Sequence, residues 1–207
     1  CMKLHSDSFK GGDAIPGRFA FAVIANPISL SSNQNPHLAW TDMPPGTKSF
    51  ALTVIDPDVP SMGDDVNQAG RQVAADLPRV DFTHWLLANF PASMHSIEAG
   101  AFSDGIQAHG KPAEGPLNTV QGLNDYTGWF AGDADMAGQY HGYDGPCPPW
   151  NDQRMHHYVF TVYALDVERL ELPPHFGADA LLSALAPHVL AKASLTGRYT
   201  LNPAVSY

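Results

Sequence analysis

Positive charge is scarce in this sequence. Its 207 residues include 11 Lys and Arg against 21 Asp and Glu, which leaves a formal net charge of −10 at pH 7. Nucleic acids and anionic membrane surfaces repel a chain with this balance, so extended charge-driven binding to either one is excluded. A local pocket for a small anion remains compatible with this composition, and no nucleic-acid partner is expected.

Cysteines and long apolar runs are also few. The two cysteines are Cys1 and Cys147, and an N-terminal residue seldom pairs with one inside a tight loop, so we expect two free thiols. No apolar run approaches the length of a membrane span, which predicts a soluble, cytoplasmic protein. If Cys1 is a processed native residue and not an added one, a periplasmic or lipid-anchored protein is expected instead.

Turn-forming residues, in contrast, are abundant. The chain holds 18 Gly and 18 Pro, a composition typical of short strands joined by turns and not of a helical bundle. No linker divides the sequence, so we expect one domain over residues 1–207, with insertions near residues 61–83 and 96–141. The prediction is a mostly β fold with few short helices.

Three segments carry apolar residues on both alternating faces and are predicted as buried strands. They are Lys48 to Ile55, Thr83 to Phe90 and Tyr158 to Val167, and we expect them in one predominantly antiparallel sheet. Helical spacing appears in Ala178 to Ala191, where Pro187 should interrupt the helix. A shorter helix is expected near Val66 to Ala75.

Polar side chains that suit a binding site lie where the predicted strands begin or end. Asp56 and Asp58 follow the first of these strands, and His84 stands at the entrance of the second. His156 and Tyr158 lie at the junction where the chain passes from the Gly- and Pro-rich loop Gly142 to Pro149, whose backbone should be stiff, into the third strand. A β fold can gather such strand ends into one cleft, so carboxylate, imidazole and phenol groups are expected to be neighbours.

These motifs together resemble the phosphatidylethanolamine-binding protein family, in particular its bacterial and archaeal Raf kinase inhibitor-like branch. The resemblance rests on Pro36-His37-Leu38 with Trp40, Gly46 to Phe50, Asp56-Pro57-Asp58-Val59-Pro60, His84-Trp85, and Gly142 to Pro149 followed by His156 and Tyr158. It implies a β-sandwich with a large antiparallel sheet and a small cavity that accepts phosphate-like or other oxyanions.

The resemblance also implies site residues and partners. The ligand-binding residues would be Asp56, Asp58, His84, Gly145, Pro146, His156 and Tyr158, with Asp58 supporting the others and the glycine and proline on the rim. The implied ligand is a small anion, phosphate-like or a phospholipid head group, and neither a cofactor nor a metal is implied. Modulation of a protein partner such as a kinase, and a homodimer, are further implications.

This chain departs from the family pattern at His157, where the family usually has Arg, so a permanent cation is replaced by a titratable one. The insertion after Pro60 and the lack of the extra C-terminal helix of eukaryotic members also change the pocket mouth. The head-group preference of the family is therefore not transferred to this chain.

Two other functions remain open. An acid–base hydrolase or lyase could use the same Asp, His and Tyr groups, although no Ser in a nucleophile elbow is present. A metalloenzyme is the third possibility, because two His and two Asp could form a ligand set, but no short His-x-x-x-His or Cys-x-x-Cys spacing occurs. For the binding protein, no Lys or Arg matches the pocket, so His84 and His156 are expected to strengthen anion binding as pH falls from about 8 to 5.

Overall fold

Strands account for most of the regular structure in the computed structural model, which describes residues 1–207. The strands are β1 (Lys3–His5), β2 (Ala22–Ile24), β3 (Ile28–Leu30), β4 (Leu38–Thr41), β5 (Ser49–Pro60), β6 (Arg79–Pro91), β7 (Ser96–Ile97), β8 (Val120–Gln121), β9 (His156–Leu165) and β10 (Val189–Tyr199). The α-helices are α1 (Tyr126–Trp129) and α2 (Ala178–Leu185), and 3₁₀ turns occupy Gly17–Phe19, Pro116–Asn118 and Ala186–His188. The prediction of a mostly β fold with few short helices is confirmed.

The main sheet has five strands in the order β10-β9-β5-β6-β8, and every neighbouring pair is antiparallel. Its three central strands contain the three apolar runs predicted from the sequence, so that prediction is confirmed. A smaller sheet, β1-β4-β7, and the hairpin β2-β3 complete the β structure.

Both faces of the main sheet are buried, as alternating apolar residues predict. One face packs with the smaller sheet around the large core, in which Trp40, Phe50 and Phe160 are each no more than 2% exposed. The other face is covered by α2 through Leu181 and Leu185. This helix ends before Pro187, where a 3₁₀ turn follows, as the sequence predicted.

Strands β5 and β9 separate at the point that forms the site. Their pairing runs from Ser49 opposite Leu165 to Ile55 opposite Val159 and then stops. Beyond it, β5 continues to Pro60 beside β6 alone, with an irregular register between Asp56 and Val59. A proline at position 57 is tolerated there because no strand on the β9 side needs its N–H. Carboxylate side chains fill the gap between the two strands.

Three predictions about local structure are corrected. The Asp56-Pro57-Asp58 segment lies within β5 and not after its end, and His84 lies inside β6, which begins earlier, at Arg79. The helix expected over residues 66–75 is absent. The segment forms turns, with positive φ at Asn67 (56°) and Gly70 (76°), and polar contacts tie it to the loop before β9.

The long segment from residue 96 to residue 142 contains short local elements, of which α1 and β8 are examples. No helix in the chain combines the length and the apolar character that crossing a membrane requires. Both cysteines are free thiols, with Cys1 exposed and Cys147 partly buried.

Candidate functional site

A cavity of about 530 Å³ opens beside the point where β5 and β9 separate. Its polar floor is formed by Asp56, His84, His156 and Tyr158, and none of the four is more than 3% exposed. Each side chain comes from the central strands β5, β6 or β9, so the floor rests on the most buried part of the sheet. The resemblance brought these four residues together, and the geometry places them in one cavity.

His156 lies between two carboxylates. Its Nδ1 is 2.5 Å from Asp56 Oδ2 and its Nε2 is 2.6 Å from Asp152 Oδ2. Because a carboxylate only accepts hydrogen bonds, both ring nitrogens donate and the imidazole carries a positive charge. Burial opposes that charge, but the hydrogen bonds to Asp152 and Asp56 outweigh burial and raise the pKa of His156 to about 9.

Arg79 extends this network. Its guanidinium forms a bidentate pair with Asp152, with distances of 2.6 and 3.0 Å, and its side chain is 6% exposed. Burial would raise the pKa of Asp152, but the hydrogen bonds from His156 and Arg79 lower it. Cations and carboxylates therefore alternate along this network, in the order Arg79, Asp152, His156, Asp56. Its two positive and two negative charges cancel, so the buried network has no net charge.

Asp58 supports the site from outside the cavity. Its Oδ1 accepts from Arg154 Nε at 2.9 Å, and its Oδ2 accepts from the backbone N–H and the Nδ1 of His157, each at 2.9 Å. Burial raises the pKa of Asp58, but the bonds from His157 lower it overall. His157 thus points away from the floor and holds β9 against β5.

His84 is neutral, in contrast to His156. Its Nδ1 is 2.7 Å from the carbonyl oxygen of Asp144, and a carbonyl only accepts, so the ring proton lies on Nδ1. Burial lowers the pKa of His84 even though Asp56, Asp144 and Asp125 act to raise it. Its Nε2 has no hydrogen-bond partner in the chain and therefore offers a lone pair to the cavity.

Tyr158 carries an unpartnered hydroxyl group. The residue is 1% exposed, and its buried hydroxyl group makes no hydrogen bond of good geometry, although the Asp56 carboxylate lies near enough to act on the O–H as an acceptor. Burial first, and then the negative charge of nearby Asp56, raises the pKa of the phenol well above its ordinary value, so the group remains an O–H donor. A buried hydroxyl without a partner costs about 1–3 kcal/mol of stability, which points to a bound group that would accept from it.

The loop Gly142 to Pro149 is fixed by the Asp144 carboxylate. It accepts from Asn33 and Asn124 at 2.8 Å each and from Lys111 at 3.0 Å, while the Asp144 N–H donates to the His84 carbonyl at 3.1 Å. Asp144 is therefore bonded both to the backbone carbonyl of His84 and to its imidazole. These two bonds join the loop to β6 and fix the orientation of the imidazole ring.

Gly145 and Pro146 do not line the cavity, although the resemblance placed them on its rim. Their backbone groups are already occupied: the Gly145 N–H donates to Asn33 Oδ1 at 2.7 Å and its carbonyl accepts from Tyr126, while the Pro146 carbonyl accepts from the Phe21 N–H. The next residue, Cys147, does reach the cavity, and burial raises its pKa to about 11.

Apolar side chains form the walls and the mouth. The ring of Tyr126 stacks on Phe21 at a centroid distance of 4.8 Å and on Phe130 at 5.8 Å, and we call these three rings the aromatic shelf. At the mouth, Trp129 is 57% exposed and Leu30 is 65% exposed. The cavity thus joins a polar floor to an apolar entrance.

Sequence reasoning missed Arg79 and Asp152, which set the charge of the floor, and also the aromatic shelf. Asp152 had one available signal, since it lies four residues before His156, just after the Gly- and Pro-rich loop. Arg79 lies in the segment assigned to a surface insertion, and nothing in its local sequence indicates a buried ion pair. For the metalloenzyme alternative, no group of three or more His, Cys, Asp or Glu side chains is arranged to hold a metal ion.

Comparison with known proteins gives consistent matches over nearly the whole chain. The family model described as phosphatidylethanolamine-binding protein matches residues 5–200. UPF0098 protein YbhB of Escherichia coli is 31% identical over 199 residues, which cover 96% of this chain and 100% of that protein. The UPF0098 protein of Aquifex aeolicus is 31% identical over 198 residues, which cover 96% of this chain and 88% of that protein.

Solved structures agree with this result. The crystal structure of Escherichia coli YbcL, described as a new member of the mammalian PEBP family, aligns with a TM-score of 0.69 at 27% identity, covering 96% of this chain and 98% of that one. A putative phosphatidylethanolamine-binding protein homologue from Chlamydia trachomatis aligns with a TM-score of 0.64 at 28% identity, and the alignment covers 96% of this chain and 97% of that one.

Proposed function

The chain belongs to the phosphatidylethanolamine-binding protein family, and from this premise we propose that it is a ligand-binding protein whose cavity floor holds one phosphate-like oxyanion group. In this proposal Tyr158 donates to the oxyanion, while His84 and Asp56 contact it directly. His156 keeps Asp56 in place and neutralises its charge. Asp58, Gly145 and Pro146 act behind the floor, by holding β9 and the loop in position.

The observation that carries this proposal is the unpartnered hydroxyl group of Tyr158. Native proteins leave few buried polar groups unsatisfied, and each exception requires an explanation such as strain, a catalytic role or a bound water or ion. Tyr158 lines the cavity, so a bound group is the explanation that we propose for its hydroxyl. The neutral charge of the network behind the floor supports the proposal as well, because Asp56 alone would repel an anion.

Replacing Tyr158 by Phe tests the proposal. The variant should lose affinity for inorganic phosphate by about 10- to 150-fold, the value of a hydrogen bond to a charged group. Its free energy of unfolding should stay unchanged or rise by about 1 kcal/mol, because an unsatisfied hydroxyl group is removed. Calorimetric titration and urea unfolding measure the two quantities.

Tyr143 provides the matched control. It is equally buried, but its hydroxyl group donates to the carbonyl oxygen of Phe19 at 2.5 Å and does not line the cavity. Tyr143→Phe should lower stability by about 0.5–1.5 kcal/mol and leave phosphate affinity unchanged. Wild-type affinity in Tyr158→Phe, or no phosphate binding by the wild-type protein, would refute the proposed function.

An acid–base hydrolase or lyase is the second candidate, and one observation favours it. The free lone pair of His84 Nε2 beside the Tyr158 hydroxyl group is a base–acid pair of the kind that proton-transfer catalysis uses. A covalent route through Cys147 is disfavoured, because its raised pKa keeps the thiol protonated. Turnover of phosphate or carboxylic esters that disappears in His84→Ala would establish this function. No contact in the chain favours modulation of a kinase or another protein partner.

A further inference from the structure

The cavity floor offers more acceptors than donors. At neutral pH, Tyr158 contributes an O–H, whereas His84 contributes the lone pair of Nε2. The two Asp56 oxygens each receive one hydrogen bond, from the Asp58 N–H at 2.7 Å and from His156 Nδ1 at 2.5 Å. A carboxylate oxygen can accept two bonds, so Asp56 also retains acceptor capacity toward the cavity.

No cation is free to compensate for these acceptors. No Lys or Arg lines the cavity, and the positive charge of His156 is shared between Asp56 and Asp152. Arg79 is paired with Asp152, and Arg154 with Asp58. An oxyanion that only accepts hydrogen bonds would therefore meet one good donor and at least two opposing lone pairs.

A ligand that carries its own proton removes this conflict. We propose that at neutral pH the site selects phospho groups that retain one P–OH and bear an apolar substituent, over oxyanions without an O–H such as sulfate, sulfonates and phosphodiesters. The P–OH donates to His84 Nε2, and an unprotonated oxygen of the same group accepts from Tyr158. This inference rests on the proposed function and names the ligand class for the same floor.

The apolar substituent is inferred from the walls. The aromatic shelf of Phe21, Tyr126 and Phe130 leads from the floor toward the mouth, where Leu30 and Trp129 are exposed. Aromatic and alkyl groups bury their surface well on such a shelf. Inorganic phosphate uses the floor alone, and therefore should bind more weakly than a phosphonate or phosphate monoester with a phenyl group.

Two matched probes test the selectivity. Phenylphosphonate keeps a P–OH in its monoanion, whereas benzenesulfonate has the same ring and a single negative charge but no O–H. By calorimetry at about pH 7, above the ordinary histidine pKa of about 6.5, phenylphosphonate should bind at least tenfold more tightly. Methyl phenyl phosphate, a diester without a P–OH, should behave like the sulfonate, and inorganic phosphate should fall between the two classes.

The role of His84 is tested through the ratio of the two affinities. In His84→Gln the side-chain amide can present either an N–H or a carbonyl oxygen, so the ratio should fall toward one, whereas a structural defect would weaken both ligands alike. In the wild-type protein the ratio should also shrink as pH falls through the His84 pKa, because a protonated ring becomes a donor to the sulfonate. This second measurement does not depend on the variant folding.

The outcomes separate the two proposals. Equal binding of phenylphosphonate and benzenesulfonate at about pH 7, with Tyr158→Phe still weakening both, would overturn the selectivity and leave oxyanion binding in place. Binding of neither probe, nor of phosphate, would remove the proposed function together with the inference. A tenfold or larger preference that survives in His84→Gln would also overturn the inference, because the preference would then come from another group.

Discussion

At the scale of single residues, the two floor histidines have opposite protonation states because their partners differ. His156 has two carboxylate partners and remains a cation with a pKa of about 9. His84 donates to a carbonyl, is fully buried, and has a lowered pKa. One histidine therefore sets the charge of the floor, and the other is neutral at pH 7 and gains a proton only as pH falls below its ordinary pKa.

Sulfate binding should consequently depend on pH through His84. Sulfate has no O–H at neutral pH, so it requires a protonated His84, and its affinity should rise by up to about tenfold per pH unit as pH falls toward the His84 pKa below 6.5. Calorimetric titration from about pH 8 to 5 measures this dependence. The sequence analysis assigned this dependence to His156 as well, but its pKa of about 9 lies above that range, so we expect His84 to carry most of the dependence.

Variants identify the responsible group. His84→Gln should remove the pH dependence, whereas His5→Gln, at an exposed histidine whose side chain makes no hydrogen bond, should keep the wild-type profile. A profile that is unchanged in His84→Gln would contradict the assignment.

The identities of the four floor residues could be predicted from motifs, but their protonation states could not. The charge of His156 depends on Asp152 and indirectly on Arg79, and the neutral state of His84 depends on Asp144. Arg79 is far in sequence from His156, and Asp144 is far in sequence from His84. Only the folded arrangement shows that each imidazole is bonded to a carboxylate or to a carbonyl.

At the scale of elements, the loop Gly142 to Pro149 depends on a close backbone approach at Gly145. A Cβ at this position would lie 2.3 Å from the carbonyl oxygen of Phe19, and both backbone polar groups of Gly145 are bonded. Gly145→Ala should therefore lower the free energy of unfolding by about 1–3 kcal/mol and weaken phosphate binding, as the loop moves away from His84. Urea unfolding and calorimetry measure the two effects.

Gly132→Ala is the control for this change, since a Cβ at Gly132 would have no neighbouring atom within 4 Å and the residue is exposed. Its stability should stay within about 0.5 kcal/mol of wild type. If Gly145→Ala were as stable as Gly132→Ala, the loop would have more freedom than its hydrogen bonds indicate.

The buried side chain of Asn151 makes several of the hydrogen bonds that hold the insertion after β5. Its Nδ2 donates to the carbonyls of Asp65 at 2.7 Å and Arg71 at 3.1 Å, and its Oδ1 accepts from the Asn67 N–H at 3.0 Å. Asn151→Ala should release residues 63–73 and therefore speed amide hydrogen exchange in that segment. Val73 is the amide to follow, because its N–H donates to the backbone carbonyl of residue 151, which the substitution keeps.

Gln68→Ala serves as the comparison, because Gln68 lies in the same segment but is exposed and its side chain makes one local bond to Asp64. It should leave exchange at Val73 unchanged. Equal protection of Val73 in both variants would show that the insertion is held by other contacts.

The errors in predicting individual elements have a common cause. Prolines at positions 57 and 60 suggested that the strand ends at Ile55, yet β5 continues because one of its sides no longer has a strand partner. The short helix expected near residues 66–75 does not form, because tertiary hydrogen bonds to Asn151 hold the segment in turns. Apolar alternation identified β5, β6 and β9 because their burial on both faces leaves a strong local signal.

At the scale of the whole molecule, the family membership and the large antiparallel sheet follow from the sequence, whereas assembly does not. The homodimer implied by the resemblance stays a prediction. Light scattering over a wide protein concentration range should show a dimer mass, and a monomer mass throughout would contradict it. The division into one domain with two insertions likewise stays a prediction.

The two histidines also predict how the stability of the whole protein varies with pH. Between pH 6.5 and about 9, His156 is protonated in the folded chain but not in the unfolded chain, so stability falls as pH rises through that range, by up to about 3 kcal/mol. Below pH 6.5 the unfolded chain protonates His84 before the folded chain does, so stability falls as pH drops. Protonation of Asp58 and Asp152 in the unfolded chain adds a further loss of stability below about pH 3.8, because the pKa of each is lowered in the folded chain.

The free energy of unfolding should therefore be greatest near pH 6.5, as measured by urea unfolding from about pH 4.5 to 9. His84→Gln should reduce the loss of stability on the acid side. His156→Gln should remove the loss of stability on the alkaline side. It should also lower the free energy of unfolding by about 3–5 kcal/mol, because two buried carboxylates lose their shared cation. His5→Gln should retain the wild-type curve. If His156→Gln does not fold, the wild-type curve decides: stability that is flat or rising from pH 6.5 to 9 would mean that His156 is not a buried cation in the folded protein.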